Sequence, residues 1–315
     1  MTALSATTEP GTRPTAPPAA RHTGPGGLFR ALSRTHRTAL LLSGLALTAV
    51  AAALVWLHSL GDEARAGVSA CATPPADGLP SCAAVDAITA DEIYSTGLSV
   101  IATVLSWALF PVAAWAGGTL IGRELEQGTA QLAWTQSVGP LRWLAAKLAL
   151  PAALLTAGTS GLVLLNLWAR GDGDPDLAGD WYEADVFVST GPTAVAYVLA
   201  GLALGALAGL VWRRALPAAG VALGASLLLH SFLERHREDL WPTITRIAPN
   251  SIELPRSAYQ VSWNTPAPNG AQTTHTTFHP QSHFWPLQYV ETGLLLALAA
   301  AATATAFVVL ARRLP

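Results

Sequence analysis

Six long stretches without a charged side chain break up the polar parts of this chain. They run from Ala39 to Gly61, Ile93 to Gly122, Leu148 to Ala169, Val186 to Trp212, Ala215 to Leu233 and Thr292 to Ala311. About 20 helical residues cover a hydrocarbon core roughly 30 Å thick, and each stretch is that long or within a residue or two. The pattern predicts an all-α integral membrane fold of six transmembrane helices, at about 38–59, 94–121, 145–168, 188–212, 215–233 and 289–311. The connection at 234–288 is the largest. Pro111 sits in the middle of the second stretch, where it removes a backbone bond and crowds the preceding turn, so a kink or tilt is expected there.

Charge sets the orientation. With a cytoplasmic N-terminus, the inside carries Arg13, Arg21, Arg30, Arg34, Arg37, Arg123, Arg142, Lys147, Arg213, Arg214, Arg312 and Arg313 against Glu9, Glu124 and Glu126 only. The inside then holds a net +9 and the outside −11, which together make the −2 of the whole chain. The positive-inside rule selects this topology in a cytoplasmic membrane, with both termini inside and the 234–288 loop external. Near-neutral net charge says nothing of partners when the two sides are so unlike, and nothing in the chain points to nucleic acid. Trp56, Trp143, Trp168, Trp212 and Trp285 fall near predicted helix ends, as interfacial tryptophans do.

Residues 1–26 are rich in Thr, Pro, Ala and Gly without periodicity and are expected to be a disordered cytoplasmic tail. Residues 27–37 follow with Leu28, Phe29 and Leu32 on one face and Arg30, Arg34 and Arg37 free to reach phosphate. That pattern predicts a short interfacial helix before the membrane domain at 38–315. Cys71 and Cys82 are the only cysteines, and both fall in the first predicted external loop, where a disulfide is expected; two free thiols are the alternative. The acidic run DGDPD lacks the spacing and terminal Glu of a calcium loop and reads as solvated charge. In the large loop, AYQVSW and AQTTHTTF flank NTPAPNG and predict a β-hairpin. His275, His279 and His283 are evenly spaced, but Pro280 prevents one helix from presenting them, and no metal is expected.

The segment 122–147, GRELEQGTAQLAWTQSVGPLRWLAAK, stands apart. A turn between antiparallel helices needs only a few residues. This one alternates Arg123, Glu124 and Glu126 with Leu125, Leu132 and Trp134. Gly128 is placed to end one helix and Thr129 to start another, which predicts a short amphipathic helix at the cytoplasmic surface.

On these residues the chain resembles the permeases of type-2 ABC transporters, in their actinobacterial branch. The resemblance rests on Arg123, Glu124, Glu126, Gly128, Thr129, Leu132, Trp134, Thr135, Gln136, Ser137, Val138, Arg142, Trp143 and Lys147. Weaker likenesses lie in GALAGLVWRRALPA at 205–218 and FWPLQYVETGLLLALA at 284–299. The resemblance implies a membrane-spanning subunit, an exporter by leaning, paired with a second permease copy or paralogue and driven by cytoplasmic ABC ATPase subunits. It further implies that the loop, including Leu125, couples to the ATPase.

The chain itself is expected to be no enzyme and to bind no cofactor. Its single lysine, Lys147, follows Ala-Ala and precedes Leu, so no phosphate-binding P-loop exists here, and ATP with magnesium belongs to the partner. An ion-coupled carrier would place ionisable groups near the membrane midplane. The six stretches hold only His58 and His230, both near outer ends, with Glu291 at the outer start of the sixth helix. A non-transporting membrane scaffold or sensor is the remaining alternative.

Overall fold

The computed structural model describes residues 37–72, 85–136, 139–171, 173–248, 253–264 and 274–313. The tail expected at 1–26 and the interfacial helix expected at 27–37 lie outside them, apart from Arg37, which opens the first helix. Helix α1 spans Arg37–Ala72 and α2 spans Val85–Trp107. Helix α3 (Leu109–Trp115) continues α2, then a π-helical segment (Ala116–Gly122) leads into α4 (Arg123–Glu126) and α5 (Thr129–Gln136). Helix α6 (Pro140–Arg170) crosses back, and α7 (Pro175–Ala178) and α8 (Ala184–Ser189) follow as short helices. Next come α9 (Thr193–Trp212), α10 (Ala215–His236) and a 3₁₀ turn at Arg237–Asp239. The strands β1 (Ile244–Ala248), β2 (Tyr259–Asn264) and β3 (Thr274–His279) precede the last helix, α11 (Phe284–Arg312).

Six helical stretches are long and apolar enough to cross a membrane: 41–66, 90–126, 140–170, 193–212, 215–239 and 281–312. Six spans are present as expected, and all but the fourth are longer, because a helix does not stop where hydrophobicity stops. Helix α1 carries Asp62, Glu63 and Arg65 on beyond the predicted end at 59, with an i,i+3 ion pair between Arg65 and Asp62 (2.6 Å). Cys71 therefore falls in the last turn of α1 rather than in a loop. Cys82 and the cysteine pairing lie outside the described residues. The fourth span starts later than 188, because Gly191 and Pro192 separate α8 from α9.

Near Pro111, where a kink or tilt is expected, the helix is interrupted. Pro111 has no N–H to offer the Trp107 carbonyl, and the helix breaks at Ala108, whose N–H turns to the Leu105 carbonyl (3.4 Å). The second irregularity was not predicted. At Ala116–Gly122 the ladder widens, with the Arg123 N–H bonding the Gly118 carbonyl five residues back.

Helix α9 is the hub, packed on α11, the π segment, α3, α10 and α6. Its Ala- and Gly-rich sequence makes that possible, because small residues let helices approach closely where lipid removes the usual apolar driving force. Gly201, Gly205 and Gly209 fall four residues apart along one stripe. A Cβ on Gly205 would sit 2.4 Å from the Ala113 carbonyl oxygen and 2.7 Å from the Ala116 Cβ. Helix α1 is the opposite case: Leu41, Leu42 and Leu45 are each more than 60 % exposed, as a lipid-facing surface requires. Its other face packs Leu54, Leu57 and Ala64 against Tyr94, Leu98 and Ile101 of α2.

The predicted hairpin is present as β2 and β3, antiparallel from Tyr259↔His279 onward with a bulge between Gln260 and Ser262. The residues between the strands lie outside the described ones. Strand β1 adds to the other edge of β3, pairing Ile244↔Phe278, for a sheet ordered β1-β3-β2. At only five residues, β1 carries too short an alternation to have been read from sequence.

The basic end of the bundle as a candidate functional site

The connection between the second and third spans folds against the bundle. After α4 the chain turns at Gly128, whose φ of +72° suits a residue without a Cβ. The Gly128 carbonyl accepts the Leu132 N–H (3.2 Å), and the Thr129 hydroxyl donates back to the Glu124 carbonyl (3.2 Å). Thr129 therefore opens α5 while tying it to the helix before. Gly139 and Pro140 start α6, with Pro at a position where its missing N–H costs nothing.

Apolar residues anchor this connection. Leu125, Ala130, Trp143 and Leu144 are buried with Leu202, Leu210, Ala306 and Leu310 of α9 and α11. Trp134, half-buried, meets Trp143 edge to face with ring centres 5.7 Å apart.

Two carboxylates tie the connection to other spans. Glu124 pairs with Lys147 of α6, and both side chains are mostly buried. Glu126 accepts the backbone N–H of Ala215 (2.8 Å), satisfying an orphan donor at the first turn of α10, where the helix dipole favours negative charge. Nearby, the Arg313 guanidinium donates to the Leu210 carbonyl at the end of α9 (2.7 Å). The connection is thus bonded to α6 and α10, and α11 is bonded to α9 beside it.

The predicted site residues sort into two sets. Glu124 with Lys147, Trp134 with Trp143, Leu125 and Glu126 face the bundle. Arg123, Thr129, Leu132 and Arg142 face outward, with Leu132 59 % exposed. Gln136 ends α5, and its side chain lies outside the described residues.

A cluster that sequence reasoning missed lies at the opposite, acidic end. Arg237, in the 3₁₀ turn after α10, reaches Glu291 of α11 through two hydrogen bonds, Nε to Oε2 at 2.9 Å and Nη2 to Oε1 at 3.3 Å. The Tyr197 hydroxyl of α9 donates to Glu291 Oε1 (2.8 Å), and the guanidinium carbon stands 4.3 Å from the centre of the Phe187 ring. One turn away Gln288 joins the Phe187 carbonyl to Thr193. Both charges stand just beyond uncharged stretches, so nothing local marks them as a buried pair.

Also at this end, Arg256 makes a two-pronged contact to Asp176, Nη1 to Oδ2 at 2.7 Å. These bonds hold the Asp176 carboxyl below its ordinary value and raise the Arg256 guanidinium. Trp181 Nε1 donates to the Ser257 carbonyl (2.7 Å), and Tyr182 stacks on Tyr259. His279 and His283 share a hydrogen bond between their Nδ1 atoms (3.0 Å), but no three metal-ligating side chains converge among the described residues.

A bundle of six apolar spans, with a structured connection folded onto one end, describes a polytopic membrane protein. Residues 43–236 match the family described as ABC-2 membrane transporter related, and the chain belongs to that family. It is a multi-pass membrane protein, an ABC transporter permease. The match covers the first five spans; the sheet and α11 lie beyond it. No curated protein and no solved structure matches the chain.

Proposed function

We propose that this chain is the membrane-spanning permease of an ABC exporter in the cytoplasmic membrane, powered by a separate cytoplasmic ATPase that docks on residues 123–147. The N- and C-termini and this connection are then cytoplasmic, and the sheet is external. The motifs quoted above resemble those of the actinobacterial branch, and the proposal assigns the chain there. A second permease copy or a paralogue completes the pathway, and ATP with magnesium is bound by the partner.

One observation carries this reading: α4 and α5 are linked by side chains to four other membrane helices. Glu124 meets α6 through Lys147, Glu126 meets the start of α10, and Leu125 packs beside α9 and α11. A push on α5 is therefore delivered to four membrane helices at once. Glu124, Glu126 and Trp134 act as struts behind the docking face, with Trp143 and Lys147 as their seat and Arg142 at its outer rim. Arg123, Thr129 and Leu132 present that face outward. An exposed Leu beside charged neighbours fits a contact whose central anchor is worth about 2 kcal/mol or more.

The test uses the full chain purified in mild detergent with the ABC ATPase that co-isolates with it. Leu132→Glu is expected to abolish co-isolation. Trp134→Ala combined with Glu126→Ala is expected to abolish stimulated hydrolysis, with membrane insertion and gel-filtration profile unchanged. If both variants bind and stimulate the ATPase as the unaltered chain does, the segment is a membrane-surface cap and a scaffold role gains.

A further inference from the structure

An open cleft of about 780 Å³ enters the bundle at the acidic end, between α2, the 175–186 segment and α10. On the α2 side its wall runs from Ser95 to Phe110, about 22 Å of helix at 1.5 Å per residue. No Lys or Arg lines it, but four carboxylates do: Asp176, Glu183, Asp185 and Glu234. Asp176 is neutralised by Arg256. The other three have no Lys or Arg within ion-pair distance among the described residues. Among the described residues Asp185 accepts only the Thr103 hydroxyl, at 2.6 Å, and Glu234 stands 3.6 Å from the His230 ring.

The far end of the wall is aromatic. Trp107, half exposed, and Phe110 meet edge to face at 5.5 Å, beside Val100 and Leu227. His230 closes that end, with Nε2 3.4 Å from the Ser106 hydroxyl and its ring packed between Phe110 and Tyr197. The cleft thus joins an excess of negative charge, which Arg170 and Arg237 meet only from beyond ion-pair distance, to an apolar aromatic wall.

We propose that this cleft binds a cationic amphiphile, with the cationic head against Glu234 and Asp185 and the apolar body along Trp107 and Phe110. Glu234 is exposed and Asp185 half-buried at the outer mouth, and a cation held there gains the attraction of both. Faces of Trp and Phe attract cations as well as apolar groups. An anion of the same shape meets three like charges, and a neutral lipid gains nothing from them. A bare divalent ion lacks a third converging ligand among the described residues. The cleft names a class of cargo for the permease and rests on that reading only for its meaning, since binding needs no ATPase.

The test uses the full chain in nanodiscs of zwitterionic lipid, without ATPase. The probes are tetraphenylphosphonium and tetraphenylborate, which share a shape and differ in charge. Binding above that of empty nanodiscs is measured by equilibrium dialysis. Tetraphenylphosphonium is expected to bind saturably and tetraphenylborate not at all. Glu234→Gln with Asp185→Asn is expected to weaken binding about tenfold, as loss of two partly solvated ion contacts would. Ser99→Trp, which fills the cleft from an exposed position, is expected to abolish it. Asp239→Asn, outside the cleft, leaves it unchanged. Equal binding of the borate, no saturable phosphonium binding, or unchanged binding by the folded double variant or by Ser99→Trp overturns the proposal. None of these results bears on whether the ATPase docks at 123–147, and failure of that docking leaves this site standing.

Discussion

Replacing Glu291 by Leu tests how the acidic end is held. The Glu291 side chain has no exposed surface, and that of Arg237 has 6 %. Glu291→Leu removes the acceptor of two guanidinium hydrogen bonds and of the Tyr197 hydroxyl, and leaves a buried cation with the Phe187 ring beside it and the Glu234 carboxylate beyond ion-pair distance. Breaking a buried pair from one side costs about 3–5 kcal/mol, and the ring returns at most about 1 kcal/mol. Domains of 150–250 residues lose roughly 2–4 °C of melting temperature per kcal/mol. The expected fall is therefore roughly 5–15 °C in detergent, followed by tryptophan fluorescence. Arg237→Met alone is expected to cost a similar amount, because it strands the carboxylate. The double variant is expected to recover to within a few degrees of the unaltered chain, since two apolar side chains strand no charge. A single variant within about 2 °C of the unaltered chain, or a double variant showing the sum of both losses, refutes the buried pair as a coupled unit.

Three further outcomes are expected. In a chain with Cys71 and Cys82 replaced by Ser, new cysteines at Gln131 and Arg313 are expected to resist impermeant thiol reagents in intact cells, whereas one at Asn269 labels; labelling of Gln131 from outside reverses the topology. Gly205→Ala is expected to lower the yield of folded protein sharply, because its Cβ would meet Ala113 and Ala116 at sub-contact distances, while Gly220→Ala, with open space around it, is tolerated; normal yield and melting of Gly205→Ala would show that the hub can spread. The lowered Asp176 value means the folded state favours the carboxylate, so its contribution is fully present above the unfolded value near 3.9 and fades as pH falls through the lowered folded value. The melting difference between the unaltered chain and Arg256→Gln is accordingly expected to be flat from about pH 5 to pH 8 and to close only in more acidic buffer; a difference that changes around neutral pH would implicate another group.

What the sequence determined by itself was whatever depends on neighbours along the chain. Six apolar stretches of bilayer length announce six spanning helices, since no backbone polar group can go unbonded in lipid. Pro111 marks the break at Ala108, because a residue without an N–H fails its partner wherever the helix packs. Gly128 announces the turn between α4 and α5, and the alternating residues around 259–279 announce the hairpin. Arg123 to Lys147 stood out because a simple turn has no use for so many side chains.

Only the tertiary structure decided how charges and small residues were used. Glu124 and Glu126 look alike in sequence, yet one meets Lys147 and the other caps α10, because those partners arrive from distant spans. Glu291 and Arg237 read as ordinary residues beside the membrane until α9, α10 and α11 close around them. The glycines of α9 could have faced lipid; the arrival of the α3 backbone at Gly205 makes α9 the buried centre. Each of these depends on which helices pack side by side, and that choice is made by shape and by the satisfaction of buried polar groups across the whole bundle, neither of which a single stretch of chain contains.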